Sequence, residues 1–344
     1  MFQTVFEKFS SFLDNRFILS VWVPCLFFWL ALLCLIVLWA GSSVALGWWQ
    51  LQPVELQLTL VVLLLAWITL FARLLLSTLD SIILVYEGYW YTERLSFLRD
   101  FKERRQRYYI KKIASLKATG ENLEINLKFP PATRTEEVMP TRFGNLLKNA
   151  EMYPKLRYGI DAVVIWPRLY SVLPDNMVKN FGAAATEMEL MLIISVLGAA
   201  FAGLGGIIAS LILPFYAVPI CIFGGALIAW LGYEGALLSA LPYNRLIKAA
   251  FDIHRGTLLN TIGWTPADSY DKEKIQWENI SRLWRYGSPP GSQSKSTFGY
   301  KTQERESEVA KEDGFGYLWV KNTGEAVEGG CLLSSIPRNE TAKE

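Results

Sequence analysis

The chain has 344 residues, 52% of them hydrophobic and 19% charged, with a net charge of +2 and a mean hydropathy of +0.23. That is too apolar for one soluble domain of this size, and the small net charge averages over regions of opposite sign. One histidine and four cysteines, Cys25, Cys34, Cys221 and Cys331, none at CxxC spacing, exclude a Cys/His zinc site and give no basis for a disulfide framework.

Residues 1–16 place Phe2, Val5, Phe6, Phe9 and Leu13 at helical spacing. They predict an interfacial N-terminal segment lying on the inner face of a membrane, with a frayed terminus as the alternative. From Phe17 to Ala40 no charge occurs. About 20 apolar residues cross a hydrocarbon core roughly 30 Å thick, and this run is too long for a signal-peptide core, so it reads as a retained first span. Trp39, Trp48 and Trp49 follow as an interfacial aromatic belt. The 41–55 connection holds no Lys or Arg. The second span starts near Leu56, and no breaker occurs before Gly88. One long helix, 56–87, is expected to project beyond the bilayer. Arg73, Asp80, Glu87 and Arg94 recur every seven residues, nearly on one helical face. Such a stripe at the inner edge faces protein or water. It reads either as a gate or pore lining or as a bundle or subunit contact closed by ion pairs.

Residues 94–117 are strongly basic: Arg94, Arg99, Lys102, Arg104, Arg105, Arg107, Lys111, Lys112 and Lys117 face only Asp100 and Glu103. Next to a span, such a cluster is drawn to anionic headgroups by about 1 kcal/mol per charge. Anionic lipid contact through Arg99, Lys102, Arg104, Arg105, Arg107, Lys111 and Lys112 is the expected role. Tyr108 and Tyr109 would suit base stacking, but nucleic acid is not the expected partner.

A small polar region follows. Leu123, Ile125, Leu127 and Phe129 alternate with Glu124, Asn126 and Lys128, which predicts a half-buried strand ended by Pro130-Pro131. Residues 141–152 predict a helix capped by Thr141 and closed at Tyr153-Pro154. An apolar segment, 160–165, leads into Trp166-Pro167-Arg168 and a short helix to Val172.

Residues 190–233 contain no charged side chain. The run is long enough to cross twice, with Pro214 and Pro219 at the reversal. It predicts a third span near 188–213 and a fourth near 215–238. Gly198, Gly203 and Gly206, facing Gly225, Ala229 and Gly232, predict close backbone packing between the two, with a glycine-hinged helix as the alternative. Glu234 is expected to snorkel or to pair with a cation such as Arg73. After Pro242, a separate amphipathic helix over 243–262 with a Gly263 C-cap is predicted, then a helix over 271–285. Beyond Gly287 the composition fits a flexible tail, with a hairpin over 317–327 as its one candidate element.

The predicted fold is mainly α: a polytopic membrane protein with four transmembrane helices and a small, mostly helical cytoplasmic domain. Its parts are the N-terminal segment 1–16, spans one and two over 17–87, the basic helix and small domain over 88–186, the hairpin of spans three and four over 187–240, amphipathic helices over 241–286, and the tail 287–344. The positive-inside rule puts both termini and the central domain in the cytoplasm.

No P-loop, GxSxG, HExxH or GxGxxG motif is present. His254 is the one histidine, and its neighbour Asp252 lies two residues away, off its helical face. Arg157, Asp161, Arg168 and His254 form a candidate anionic-ligand set, with structural ion pairs as the alternative. No metal or cofactor is expected. The leading expectation is a homo-oligomeric channel, pore-forming effector or scaffold. The alternatives are an enzyme acting on lipid or a lipid-linked anion, and an adaptor for a soluble cytoplasmic partner.

Two stretches are distinctive: Arg157-Tyr158-Gly159-Ile160-Asp161-Ala162-Val163-Val164-Ile165-Trp166-Pro167-Arg168-Leu169, and Ala250-Phe251-Asp252-Ile253-His254-Arg255. Together they resemble a group of bacterial multi-pass inner-membrane proteins without assigned function. The resemblance covers about residues 140–290. It implies a bacterial inner-membrane setting and that the two stretches pack as one unit. It carries over no activity.

Overall fold

The computed structural model describes residues 17–89, 96–131 and 133–287. The chain is mainly helical, and no strand occurs among the described residues. Among the described residues, four helices are long and apolar enough to cross a membrane. The expected amphipathic segment 1–16 and the candidate hairpin at 317–327 lie outside the described residues.

The first apolar helix opens as a π-helical turn, Ile18–Trp22, and continues as α1, Val23–Ala40. Pro24 explains the wide turn. It has no N–H for the carbonyl of Ser20, and Val23 reaches back to the carbonyl of Ile18 instead. Gly41 breaks the helix at φ +86°, and a short helix, α2 (Ser42–Leu51), fills what the sequence suggested was a plain connection.

The second apolar helix differs from the prediction of a single rod. It runs as α3, Val54–Ser77, breaks at Thr78, and resumes as α4, Leu79–Glu87. The hydroxyls of Ser77 and Thr78 donate to the carbonyls of Leu74 and Leu75 at 2.7 and 2.9 Å. They compete there with the helix's own amides, which loosens the turn.

The basic segment forms α5, Ser96–Ala118, and the predicted strand is instead a helix, α6, Asn122–Lys128. A seven-residue alternation fits either period. Here Ile125 and Phe129, four apart, are buried, while Leu123 is 73% exposed. No neighbouring strand exists among the described residues to pair with it.

α7 spans Arg142–Tyr158 and passes through Pro154, where the sequence predicted its end. It stops at Gly159, whose φ of +72° suits a left-handed cap, with Ile160 N–H closing on the Pro154 carbonyl at 3.2 Å. Tertiary bonds from Tyr153 and Tyr158, described below, hold the extra turn in place. α8, Ala162–Tyr170, likewise carries Pro167 within it.

The two remaining long helices are longer than predicted. α9 covers Asp175–Ile212 and α10 covers Ala217–Thr261. Pro214 lies in the turn between them, and Pro219 falls in the first turn of α10, where its missing N–H costs nothing. α10 continues through Pro242 rather than ending before a separate helix over 243–262. Asn244, 3% exposed, donates to the carbonyl of Leu146 at 2.6 Å just past the proline, and Ala236 and Ala240 are fully buried around it. α11, Tyr270–Tyr286, completes the chain of helices.

α9 and α10 pair antiparallel down the centre. The π-turn and α1 pack on α9, and α3 packs on them, around Phe28, Leu32, Ile68, Ala72, Ile193 and Leu197. Beyond the uncharged stretch, α7, α8, α11 and the second half of α10 enclose a polar cap. Its core contains Ile160, Ile165, Leu169, Phe251, Leu258 and Trp277, so the two distinctive stretches do share one core.

Candidate functional site

Three of the six predicted packing positions, all glycines, meet backbone across the α9–α10 seam. A Cβ on Gly198 would lie 2.6 Å from the amide nitrogen of Ala229, one on Gly225 would lie 2.5 Å from that of Ala202, and one on Gly232 would lie 2.6 Å from that of Ser195. Gly206 abuts the Ile222 side chain, at 2.8 Å. Gly203 faces open space and takes no part. Small residues let the two backbones touch. A polar relay crosses the same seam: Tyr86 O–H donates to Ser195 Oγ at 2.8 Å, and Ser195 O–H donates to the carbonyl of Ala229 at 2.8 Å. Three helices, α4, α9 and α10, are thereby joined.

The heptad-spaced stripe is not one surface. The Arg73 guanidinium covers the Phe17 ring at 4.0 Å, Asp80 is exposed, and Glu87 is half-buried at the end of α4. Arg94 lies outside the described residues. Thr78, at φ −97° and ψ 1°, interrupts the helix between Arg73 and Asp80, so the four residues do not share one unbroken helix.

Glu87 sits where α4 meets α7. Thr141 caps α7 by accepting the Gly144 N–H at 2.9 Å, and its own hydroxyl lies 2.7 and 3.0 Å from the carbonyls of Tyr86 and Glu87. Gly144 rests directly on the Glu87 carbonyl, and Gly88, at φ +99°, packs on Pro140. Lys148 is bound by Glu137 at 3.2 Å and Glu151 at 2.9 Å. Among the described residues no cation pairs with Glu87. Burial first, and the charge of Glu151 second, push its carboxyl up to about 7, against the pull of Lys148.

The basic residues of α5 form an open face. Tyr109 and Ile113 are buried against Ile125, Phe129 and Val138, and Gln106 donates to the Val138 carbonyl at 3.0 Å. Arg99, Arg104, Arg105, Arg107, Lys111 and Lys112 are exposed, and Lys102 is half-buried. Arg105 donates to Tyr109 Oη at 3.3 Å.

Three residues of the candidate anionic-ligand set engage three different neighbours, and the fourth, His254, stands apart from them. Arg157 donates to Tyr153 Oη at 3.2 Å, Asp161 pairs with Arg285 at 2.5 Å, and Arg168 lies 4.4 Å from the Trp284 ring centroid. His254 is half-buried on α10. No hydrogen bond or ion pair joins any two of the four. The polar centre of the cap is instead Asp252. Its carboxylate accepts from Tyr153 at 2.9 and 3.0 Å and from Tyr158 at 2.7 Å. Burial, then the Asp252 hydrogen bond, push the Tyr158 hydroxyl up to about 12, so it stays a donor. Arg255 stacks 4.0 Å over the Tyr158 ring and pairs with Glu273 at 2.8 Å. This knot is closed on itself.

A second polar locus is open. Glu234, the first charge after the uncharged run, pairs not with Arg73 but with Arg142, at 2.5 and 3.1 Å. Beside it a cavity of about 330 Å³ is lined by Lys112, Glu124, Lys128 and Phe129 on one side and by Arg142, Glu234, Leu237, Leu238 and Leu241 on the other. Nothing local in the sequence marks Arg142 or Lys128 as parts of it, since the pairs that build it are up to 92 residues apart.

Among the described residues no three His, Cys, Asp or Glu side chains are grouped to hold a metal. No protein family, curated protein or solved structure matches this chain.

Proposed function

We propose that the protein is a non-enzymatic scaffold of a bacterial inner membrane, with both termini and the helical cap in the cytoplasm, that works as a homo-oligomer. The observation that carries this is the continuity of α10. One helix of 45 residues, about 67 Å at 1.5 Å per residue, runs from the glycine seam into the core of the cap. Roughly 30 Å of it suffices to cross a bilayer. The cap is therefore held rigidly to the anchor rather than tethered by a loop.

A scaffold reading is preferred to a channel within one chain because α9 and α10 touch backbone to backbone, which leaves no path between them. Self-association is assigned to α3. Only 11% of its apolar stretch is buried within the chain, against 39% for that of α9. Just past its end, on the first turn of α4, Asp80 is exposed, where a neighbouring subunit's cation would satisfy it.

Native mass measurement of the full chain in detergent tests the assembly. A single-subunit mass at every concentration would sink it. Liposome ion flux tests the choice against a channel: flux abolished in Asp80→Ala would reverse that choice, and no flux in wild type supports the scaffold.

A further inference from the structure

The cavity beside Glu234 has the composition of a lipid headgroup site. Three cations and two carboxylates line it, so one positive charge is in excess. Lys128 is answered by Glu124 at 3.2 Å and Arg142 by Glu234 at 2.5 Å. Lys112 is exposed and meets no carboxylate among the described residues. The opposite wall is apolar. Leu237 is buried, Leu241 is half-exposed, and Leu238 is 69% exposed, pointing its surface outward. The position matches as well. Glu234 is the first charge after residues 190–233, so the cavity lies where an uncharged helix gives way to a charged one. Along α5, Phe101, Arg105, Tyr108 and Lys112 follow at i, i+4, i+7 and i+11. Phe101 and Tyr108 are 51% and 54% exposed, so aromatic and basic groups alternate on one stripe that leads to the cavity. That combination is what an interfacial helix presents to headgroups.

We infer that this cavity binds one anionic phospholipid, its phosphate against Lys112 and an acyl chain along Leu237, Leu238 and Leu241. Free phosphate would use Lys112 but leave the leucine wall uncovered. The inference rests on the membrane reading above and gives it a defined ligand. The volume, about 330 Å³, suits a headgroup rather than a whole lipid, so the acyl chains lie outside it along the leucine wall.

The test uses the full chain in detergent, titrated with phosphatidylglycerol and followed by native mass spectrometry. Lys112→Ala should weaken binding of the first lipid by about fivefold, the equivalent of about 1 kcal/mol per charge near the surface, and Leu238→Gln should weaken it severalfold through lost apolar contact with the acyl chain. Lys117→Ala, exposed on the same helix but outside the cavity, should leave it unchanged. Inorganic phosphate at millimolar concentration should not displace the lipid. Equal binding by the Lys112 and Lys117 variants, or displacement by inorganic phosphate, would overturn the site. Phosphatidylcholine bound as tightly as phosphatidylglycerol would overturn the anionic preference. A protein absent from the membrane fraction altogether would instead sink the underlying membrane reading, which separates the two failures.

Discussion

The two pairs of apolar helices are built on opposite principles. α9 and α10 meet through Gly198, Gly225 and Gly232, with backbone against backbone. α1 and α3 meet through large rings: Phe28 stacks on Phe71 at 6.0 Å, and Trp29 packs edge-on to Trp67 and Phe71. One side-chain hydrogen bond, Trp22 Nε1–H to Thr69 at 3.0 Å, supports them. The first pair has no slack, because backbone cannot rotate aside. The second has many soft contacts, and its partners are free to adjust. The lesson is that equally apolar helices need not be equally committed. The glycine pair forms the pillar, and the aromatic pair forms a shell around part of it.

The largest effect expected is Gly232→Leu. Its side chain would run into the backbone of Ser195, at 2.6 Å from the Cβ position. Overpacking usually costs about 1–3 kcal/mol, and a backbone obstacle should bring it to the top of that range or above. Thermal unfolding in detergent measures it, and a melting temperature within a degree of wild type would break the contrast between the pairs.

Next comes Asp252→Ala in the cap. It leaves two Tyr hydroxyls without their acceptor, and should cost about 2–3 kcal/mol. Hydrogen exchange should show the loss in α7 and the second half of α10, while the glycine seam stays protected. Uniform loss along α10 would mean that pillar and cap unfold as one.

Glu87→Gln sharpens the joint between them. The folded carboxyl titrates near 7, above its ordinary 4.5. The fold therefore favours the protonated form, and this group's contribution is fully present below 4.5. It is lost as the pH rises toward 7 and stays lost above. The variant should match wild type at pH 4 and exceed it at pH 7.5. A difference that does not change with pH would remove burial as the cause.

Thr69→Val tests the aromatic pair. It removes the bond from Trp22 and the Thr69 hydroxyl's own bond to the Leu65 carbonyl, and should cost about 1 kcal/mol. Smallest of all is Gly203→Ala. Nothing lies within 4 Å of its Cβ position, so a change within about 0.5 kcal/mol is expected. A large loss there would show that Gly203 packs against another copy of the chain.

What the sequence made legible followed from composition and from period. The uncharged runs located the four long apolar helices. The spacing of Gly198 against Gly206 and of Gly225 against Gly232 marked the seam. Helix ends were read less well wherever a proline stood. Pro154, Pro167 and Pro242 all lie inside helices; around Pro154 and Pro242, Tyr153, Tyr158 and Asn244 bond across to other elements and hold the turns that proline weakens. The strand predicted at 123–129 failed for a different reason: seven alternating residues carry too little period to choose. The candidate site was least legible. Arg142 and Glu234, or Tyr153 and Asp252, are each more than 90 residues apart, and only the fold brings them together. Resemblance did anticipate that residues 157–169 and 250–255 share a core, as their common burial around Phe251 shows.

The unbroken length of α10 has a mechanical consequence. A shaft without a joint transmits torque. If the half of α10 at the glycine seam turns by a few degrees, Phe251 and Asp252 must turn with it, and the aromatic core around them must shear or follow. A twist at the seam would then reach the surface that the cap displays.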